Sequence, residues 1–272
     1  MSVKFLARAL VAGSAAIVIS HTGTKSLTVA SDSDGDVVLP ADTVPRDTAF
    51  TGKSGKLKGP LFSYITQRPF SAKVNGRIGH YLLGFWPGEK KRVKSVAYAN
   101  PTGFYEVTRE NQDTHVSEHF RLRDFLTKDQ ASTWPKYLVL RVELVDKLEL
   151  VIQELEALGL DVRHMQVMSG FRTPRYNGSG NTGGRSDVSR HMYGDAADVF
   201  VDNDRNGRMD DLNRDGRVDH RDARVILDAA ERVERRHPEL AGGVGVYRAN
   251  SAHGPFAHVD VRGWRARWGL TG

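Results

Sequence analysis

Residues 189–198 read Ser189-Arg190-His191-Met192-Tyr193-Gly194-Asp195-Ala196-Ala197-Asp198, so an imidazole and a carboxylate stand seven residues apart with a glycine and two alanines between them. Gly194 lets the backbone turn, which puts His191 on a loop, and Ala196 to Val201 reads as a small-residue strand entering a core. A borderline-soft divalent metal such as zinc accepts this mixed nitrogen and oxygen set. A third ligand is needed, and the run Phe256-Ala257-His258-Val259-Asp260-Val261-Arg262 offers one. Strand alternation there puts His258, Asp260 and Arg262 on one face and Ala257, Val259 and Val261 on the other. Spacing alone leaves the 191/198 pair equally consistent with a surface turn.

Ser189, His191, Gly194, Ala196 and Asp198 match the S-x-H-x-x-G-x-A-x-D signature, and His258-Val259-Asp260 matches H-x-[HD] on a late strand. Upstream, Ser169-Gly170-Phe171-Arg172 matches S-G-[YF]-R. In these motifs the chain resembles the zinc D-alanyl-D-alanine carboxypeptidases, a family that includes the vancomycin-resistance type enzymes and related peptidoglycan endopeptidases. The similarity runs in order from about His119 to Trp264. It implies zinc on His191, Asp198 and His258, with the fourth position left for water, and hydrolysis of peptide bonds in peptidoglycan peptides. It also implies that Arg172 holds a substrate carboxylate or the developing oxyanion; the alternative for Arg172 is a salt bridge within the fold. Many relatives carry an acidic residue three positions before the last histidine ligand, where this chain has Pro255. The general base is therefore sought in Asp260, which shares a strand face with His258, and next in His253.

Two other readings belong to different classes. The Hedgehog signalling domain resembles this family's fold, carries zinc beside calcium and is chiefly a binding module, so a chain that has lost its base would bind wall peptides without cutting them. A calcium-dependent adhesion or scaffold protein is the third, and it requires the aspartate-rich segment described below to matter more than the histidines. Turnover of purified muropeptides separates the first two.

The chain has 272 residues, 26% charged and 39% hydrophobic, with a net charge of +6. That composition predicts a soluble globular protein large enough for one catalytic domain and a smaller module. The basic balance favours a polyanionic neighbourhood, but no basic run is interleaved with aromatics, so nucleic acid is not expected as a partner. Cysteine is absent, which excludes disulfides, a thiol nucleophile and a lipoprotein anchor. Lys4 and Arg8 precede an apolar run from Ala9 to Ile19, the pattern of an export signal. The expectation is an exported protein, periplasmic or extracellular, whose segment 1–30 is a signal peptide or an anchor providing its only membrane contact. A monomer is expected.

Residues 31–58 read as a polar linker. From 59 to 112, short apolar runs broken by turn residues predict a small β-module. The zinc domain follows over 113–272; its fold class is α+β, a small antiparallel sheet packed with helices around the zinc site. Leu144, Val145, Leu148, Val151, Ile152, Leu155 and Leu158 recur at helical spacing before Gly159, a core stripe carrying no chemistry. Residues 176–185 are rich in glycine and asparagine and predict a flexible lip beside the site. A helix is expected over 222–236, and His119 is taken as a packed histidine rather than a ligand.

The insertion 202–222 carries a second cation signal. Asp211, Asn213, Asp215, the backbone carbonyl of Arg217 and Asp222 occupy positions one, three, five, seven and twelve of a dockerin-like calcium loop, with Gly216 at the sharp turn. Asp202, Asp204 and Asn206, followed by Gly207, begin a second such loop. At full length that loop would end inside the other, so one of them is truncated or shares ligands. The calcium is expected to be structural. The alternative is a self-neutralising charged loop, given the arginines interspersed among the aspartates.

Overall fold

The computed structural model describes residues 65–90, 93, 95–179 and 186–269, together with the backbone of β1 (Ala30–Ser31) and β2 (Val37–Val38). β1 and β2 pair antiparallel within a unit covering residues 1–40. The apolar segment 9–19, most of the linker and residues 180–185 of the expected lip lie outside the described residues. The second unit, residues 41–272, runs β3 (Gln67–Pro69), β4 (Arg77–Ile78), β5 (Tyr81–Leu82), α1 (Pro87–Lys90), β6 (Gly103–Val107), β7 (Lys136–Leu138), α2 (Val142–Ala157), β8 (Met165–Ser169), α3 (Pro174–Gly178), β9 (Ala196–Val201), α4 (His220–Arg236), β10 (Gly243–Tyr247), β11 (Phe256–Asp260) and β12 (Ala266–Trp268). No helix among the described residues is long and apolar enough to cross a membrane.

The architecture is α+β. Its main sheet has the order β12-β10-β11-β9-β8, antiparallel throughout except that β12 joins β10 in parallel. That edge strand departs from the antiparallel expectation, because three residues carry too little periodicity to be read from sequence. Val244, Val246, Ala257, Val259, Ala197 and Val199 alternate onto one face, and all are buried in the same core as the helical stripe Leu144, Leu148, Val151, Ile152 and Leu155. Gly159 adopts φ +80° just after α2, as its place at the end of the stripe predicts. α4 begins two residues before the expected Asp222, because Asp219 is its N-cap and forms a capping box with Asp222.

Of the segment 59–112, which the sequence sets apart as a β-module, residues between 65 and 107 pack into this same core. β3, β6 and β7 form one sheet, with β7 drawn from beyond the expected boundary at 112. Trp86 lies 6.5 Å from Phe171 with rings 17° apart, and its Nε1 donates to the Met192 carbonyl at 2.8 Å. The aromatics of this segment are core rather than an exposed platform, Phe85 excepted.

Helix α2 carries more than apolar packing. Lys147, wholly buried, donates from Nζ to Glu234 Oε1 at 2.7 Å and to the Asp260 carbonyl at 2.8 Å. Glu234 also accepts from Arg267 Nη2 at 2.5 Å and from the Gly242 amide at 3.1 Å. Removing one partner from a buried pair leaves an uncompensated charge, which costs about 3–5 kcal/mol. Glu234→Gln is therefore expected to lower the unfolding free energy by about 3 kcal/mol or more, and the double variant Lys147→Met/Glu234→Leu to recover much of it, as urea unfolding will measure.

Asp146, the neighbour of Lys147, is pushed up to about 7 by burial, with Glu143 and Glu149 adding to the effect. A carboxyl whose folded pKa lies above its unfolded value of about 3.9 holds its proton more tightly in the native state. Its contribution is therefore most favourable below pH 4 and is lost as pH rises from about 4 to about 7. Asp146→Asn removes that loss. The variant should melt above wild type at pH 8 and close to it at pH 4, and a calorimetric pH series checks this.

Candidate metal centre

The strand register assembles a row of residues across the main sheet. Trp268 on β12 lies opposite Gly245 on β10, Gly245 opposite His258 on β11, His258 opposite Asp198 on β9, and Asp198 opposite Ser169 on β8. Directly opposed residues share a face, so His258 and Asp198 converge, and His258 Nδ1 lies 2.9 Å from Asp198 Oδ1. The third group comes from outside the sheet. His191 sits in the 3-10 turn Arg190–Tyr193, and its Nε2 lies 3.2 Å from His258 Nδ1 and 3.2 Å from Asp198 Oδ1.

Gly194 makes that placement possible. It closes the turn at φ +68°, and a β-carbon there would collide with the backbone of Val139. Its carbonyl instead accepts from the Arg141 amide at 2.9 Å, tying the turn to the start of α2. The S-G-F-R segment locks the same turn from the other side. The Arg172 amide donates to the His191 carbonyl at 3.1 Å, and His191 Nδ1 pairs with the Gly170 carbonyl at 2.7 Å. With its proton on Nδ1, His191 presents the Nε2 lone pair to the other two groups.

Among the described residues, His191, Asp198 and His258 form a buried group able to hold a metal ion. The donor atoms suit it: bonds of about 2.0–2.1 Å in a tetrahedral site separate ligand atoms by about 3.3 Å, close to the observed triangle of 2.9, 3.2 and 3.2 Å. Two imidazoles and a carboxylate are donors that zinc accepts. Burial drives the His191 pKa down, keeping it neutral as a ligand must be. Burial alone would raise Asp198, but His191 and His258 outweigh it and hold the carboxylate well below its usual range. Burial would likewise lower His258, yet its bonds to Asp198 and Asp260 lift it to about 9, so metal binding displaces a proton from this ring.

Asp260, the residue expected as general base, stands behind His258 and away from the donor triangle. Its Oδ2 lies 3.1 Å from His258 Nε2, the nitrogen that does not face His191 and Asp198. Arg262 bridges both carboxylate oxygens, and the Gly243 amide donates to Oδ1 at 2.7 Å. Burial opposes ionisation here, but the bonds from His258 and Arg262 outweigh it and depress the pKa strongly. A fully buried carboxylate with both oxygens engaged in this way orients the histidine. Sharing a strand face with His258 put the two side chains in contact without putting both beside the metal position.

Arg172 makes a salt bridge within the fold, the alternative to its role toward substrate. Its Nη2 pairs with Asp198 Oδ2, and its Nε donates to Ser169 Oγ at 2.8 Å, so it steadies the carboxylate candidate ligand. His253 lies half-exposed in the loop before β11, with its ring 4.8 Å from Phe256 in edge-on contact. Phe256 stands two positions before His258 on the same face of the strand. His119 is packed against Glu149, 2.7 Å from Nδ1 to Oε2, and contributes nothing to the triangle.

The aspartate-rich insertion forms two loops of one geometry nine residues apart. Asp202 accepts from the amides of Asn206 and Gly207, and Asp211 accepts from those of Asp215 and Gly216. Asp204 and Asn213 accept from the fifth residue of their loops, and Asn206 and Asp215 from the seventh, Arg208 and Arg217. The first loop ends early: Asp210 closes it by accepting from the Asn203 amide at 3.0 Å. The second runs on to Asp222, which accepts from Leu212 and Asn213. Of the two, the truncated loop gathers three carboxylates, Asp202, Asp204 and Asp210. In the loop that looks complete, Asp215 is paired with Arg221 at 3.0 Å. Asp210 holds position nine of the first loop, which a reading by positions one, three, five, seven and twelve leaves out.

The family model described as Peptidase M15 matches residues 118–224, which contain the S-G-F-R segment, His191, Asp198 and both aspartate loops, and stop short of His258. No curated protein and no solved structure matches the chain. The α+β fold is consistent with that model, and the segment that builds most of the metal centre is similar to the Peptidase M15 metallopeptidases, the family of the zinc D-alanyl-D-alanine carboxypeptidases.

Proposed function

We propose that this chain is an exported zinc peptidase that hydrolyses peptide bonds in bacterial peptidoglycan, as a D,D-carboxypeptidase or an endopeptidase. The observation that carries the proposal is the convergence of His191 Nε2, His258 Nδ1 and Asp198 Oδ1 in one buried triangle. Zinc, when bound there, supplies Lewis acidity toward the scissile carbonyl and activates water. The chain's own part is to hold three ligands from one side. Gly170 and Asp260 fix the two imidazoles by their outer nitrogens, and Arg172 fixes the carboxylate. His253 is the general base in this reading, because it is half-exposed and Asp260 is buried; its Nδ1 faces the Gly254 carbonyl at 2.8 Å and its Nε2 the Asn250 amide nitrogen at 2.9 Å, a contact it exchanges for the water. The basic net charge suits an anionic wall polymer.

Zinc content and turnover of muropeptides test the assignment together. His191→Ala and His258→Ala should lose zinc and activity in a folded protein. His253→Ala should keep zinc and lose turnover about 100-fold or more. Asp260→Asn should instead weaken zinc binding about 10- to 100-fold, the usual effect of losing a partner that orients a ligand. Full zinc affinity in Asp260→Asn, with turnover gone, would restore it as the base. Zinc-loaded wild type without turnover would favour the non-catalytic binding module.

Calcium enters the same proposal as a structural ion, held by Asp202, Asp204, Asn206 and Asp210 in the first loop and by Asp211, Asn213, Asp215, the Arg217 carbonyl and Asp222 in the second. The repeated loop geometry and the three gathered carboxylates support it. Saturating calcium should raise the melting temperature. Asp202→Ala should remove more of that rise than Asp215→Ala, while both keep zinc and turnover well below melting. A melting curve indifferent to calcium rejects the sites.

A further inference from the structure

Gly245 separates His258 from Trp268 in the row across the sheet, and a β-carbon on it would overlap the indole of Trp268. The bare backbone lets that indole lie across β10 and bring its ring centre to 5.2 Å from the ring of His258. There its Nε1 donates to the phenol oxygen of Tyr247 at 2.9 Å. Tyr247 occupies the next position on the same face of β10, directly opposite Phe256, with their rings stacked at 4.5 Å and 7°. The phenol is half-buried and clamped by a ring on one side and an N–H on the other.

An indole nitrogen is a donor only. Trp268 therefore fills one lone pair of the Tyr247 oxygen and cannot receive its proton. No acceptor for that proton stands among the described residues, so an oriented O–H is left on the sheet face that carries His258 and Asp198. Burial raises the Tyr247 pKa, with Trp268 opposing, so the phenol keeps its proton at neutral pH.

We propose that Tyr247 is a further catalytic residue, whose phenol O–H donates a hydrogen bond to the oxygen of the scissile carbonyl as charge develops on it, and that Trp268 is the positioning residue aiming it. This rests on the peptidase reading above. When water adds to the carbonyl carbon, the π pair moves onto oxygen. The phenol meets that charge with a hydrogen bond and transfers no proton. A donor already held in place costs no reorganisation at that moment.

The test uses the zinc-loaded full chain as wild type, Tyr247→Phe, Trp268→Phe and the double variant. Two readouts are taken: steady-state cleavage of purified muropeptides, and calorimetric binding of a phosphinate dipeptide whose tetrahedral oxygens mimic the addition product. Tyr247→Phe keeps the ring stacked on Phe256, so zinc content and melting temperature should not move. Its kcat should fall about 100-fold or more, with KM within about twofold, on the scale of losing one oxyanion donor. Phosphinate binding should weaken alongside. Trp268→Phe should lose less, and the double variant no more than Tyr247→Phe, because the indole acts through the phenol. A Tyr247→Phe enzyme within twofold of wild type in kcat, or one changed only in KM, overturns the inference and leaves the peptidase standing. A wild type that neither cleaves muropeptides nor binds the phosphinate overturns both.

Discussion

The pairing of β11 with β9 is the constraint on which the centre depends. Its register sets His258 opposite Asp198, and side chains directly opposed on neighbouring strands meet without any further device. Two donors fixed by a ladder of backbone hydrogen bonds need only one more from outside the sheet. His191 supplies it from a turn whose closing residue must be glycine, because the backbone of Val139 passes too close for any side chain. The S-G-F-R segment then serves as a brace. It contributes a carbonyl to one imidazole and a guanidinium to the carboxylate, which accounts for its occurrence with the histidine motif in one chain.

Charge satisfaction runs outward from that pair in layers. Asp260 fixes His258 and is itself neutralised by Arg262. The backbone carbonyl of Asp260 accepts from Lys147, which pairs with Glu234, and Glu234 meets Arg267 on the last strand. Buried ions of this kind add little net stability over apolar packing. What they fix here is position, since α2, α4, β11 and β12 are tied to one another through groups that tolerate no slippage. Asp195, wholly buried within the histidine motif, follows the same logic by pairing with Arg190.

The aspartate loops occupy the connection between β9, which carries Asp198, and α4, which packs on the sheet. Each is built on one carboxylate accepting two successive amides, with Arg205 and Gly207 in the first and Arg214 and Gly216 in the second at positive φ. Met209 and Leu212 anchor the insertion in the core. The middle positions of each loop consequently face outward, while Asp202 and Asp222 are buried.

The sequence by itself determined the local pieces: the helical stripe of α2, the strands around His258, the turn at Gly194 and the repeated aspartate pattern. These depend on spacing along the chain, where period and turn chemistry act over a few residues. It also named the three convergent donors, because their motifs resemble those of a known family. The tertiary structure decided how neighbours on one strand divide their work. His258 and Asp260 share a face, yet only one faces the donor triangle, since an imidazole has two nitrogens and the register gives Asp198 to one and leaves Asp260 to the other. It also decided that 65–107 shares the core, that Asp210 closes the first loop early, and that Trp268 crosses a bare Gly245 to reach Tyr247. Each is a contact between segments distant in sequence, set by strand order and packing, and no pattern within a single segment encodes it.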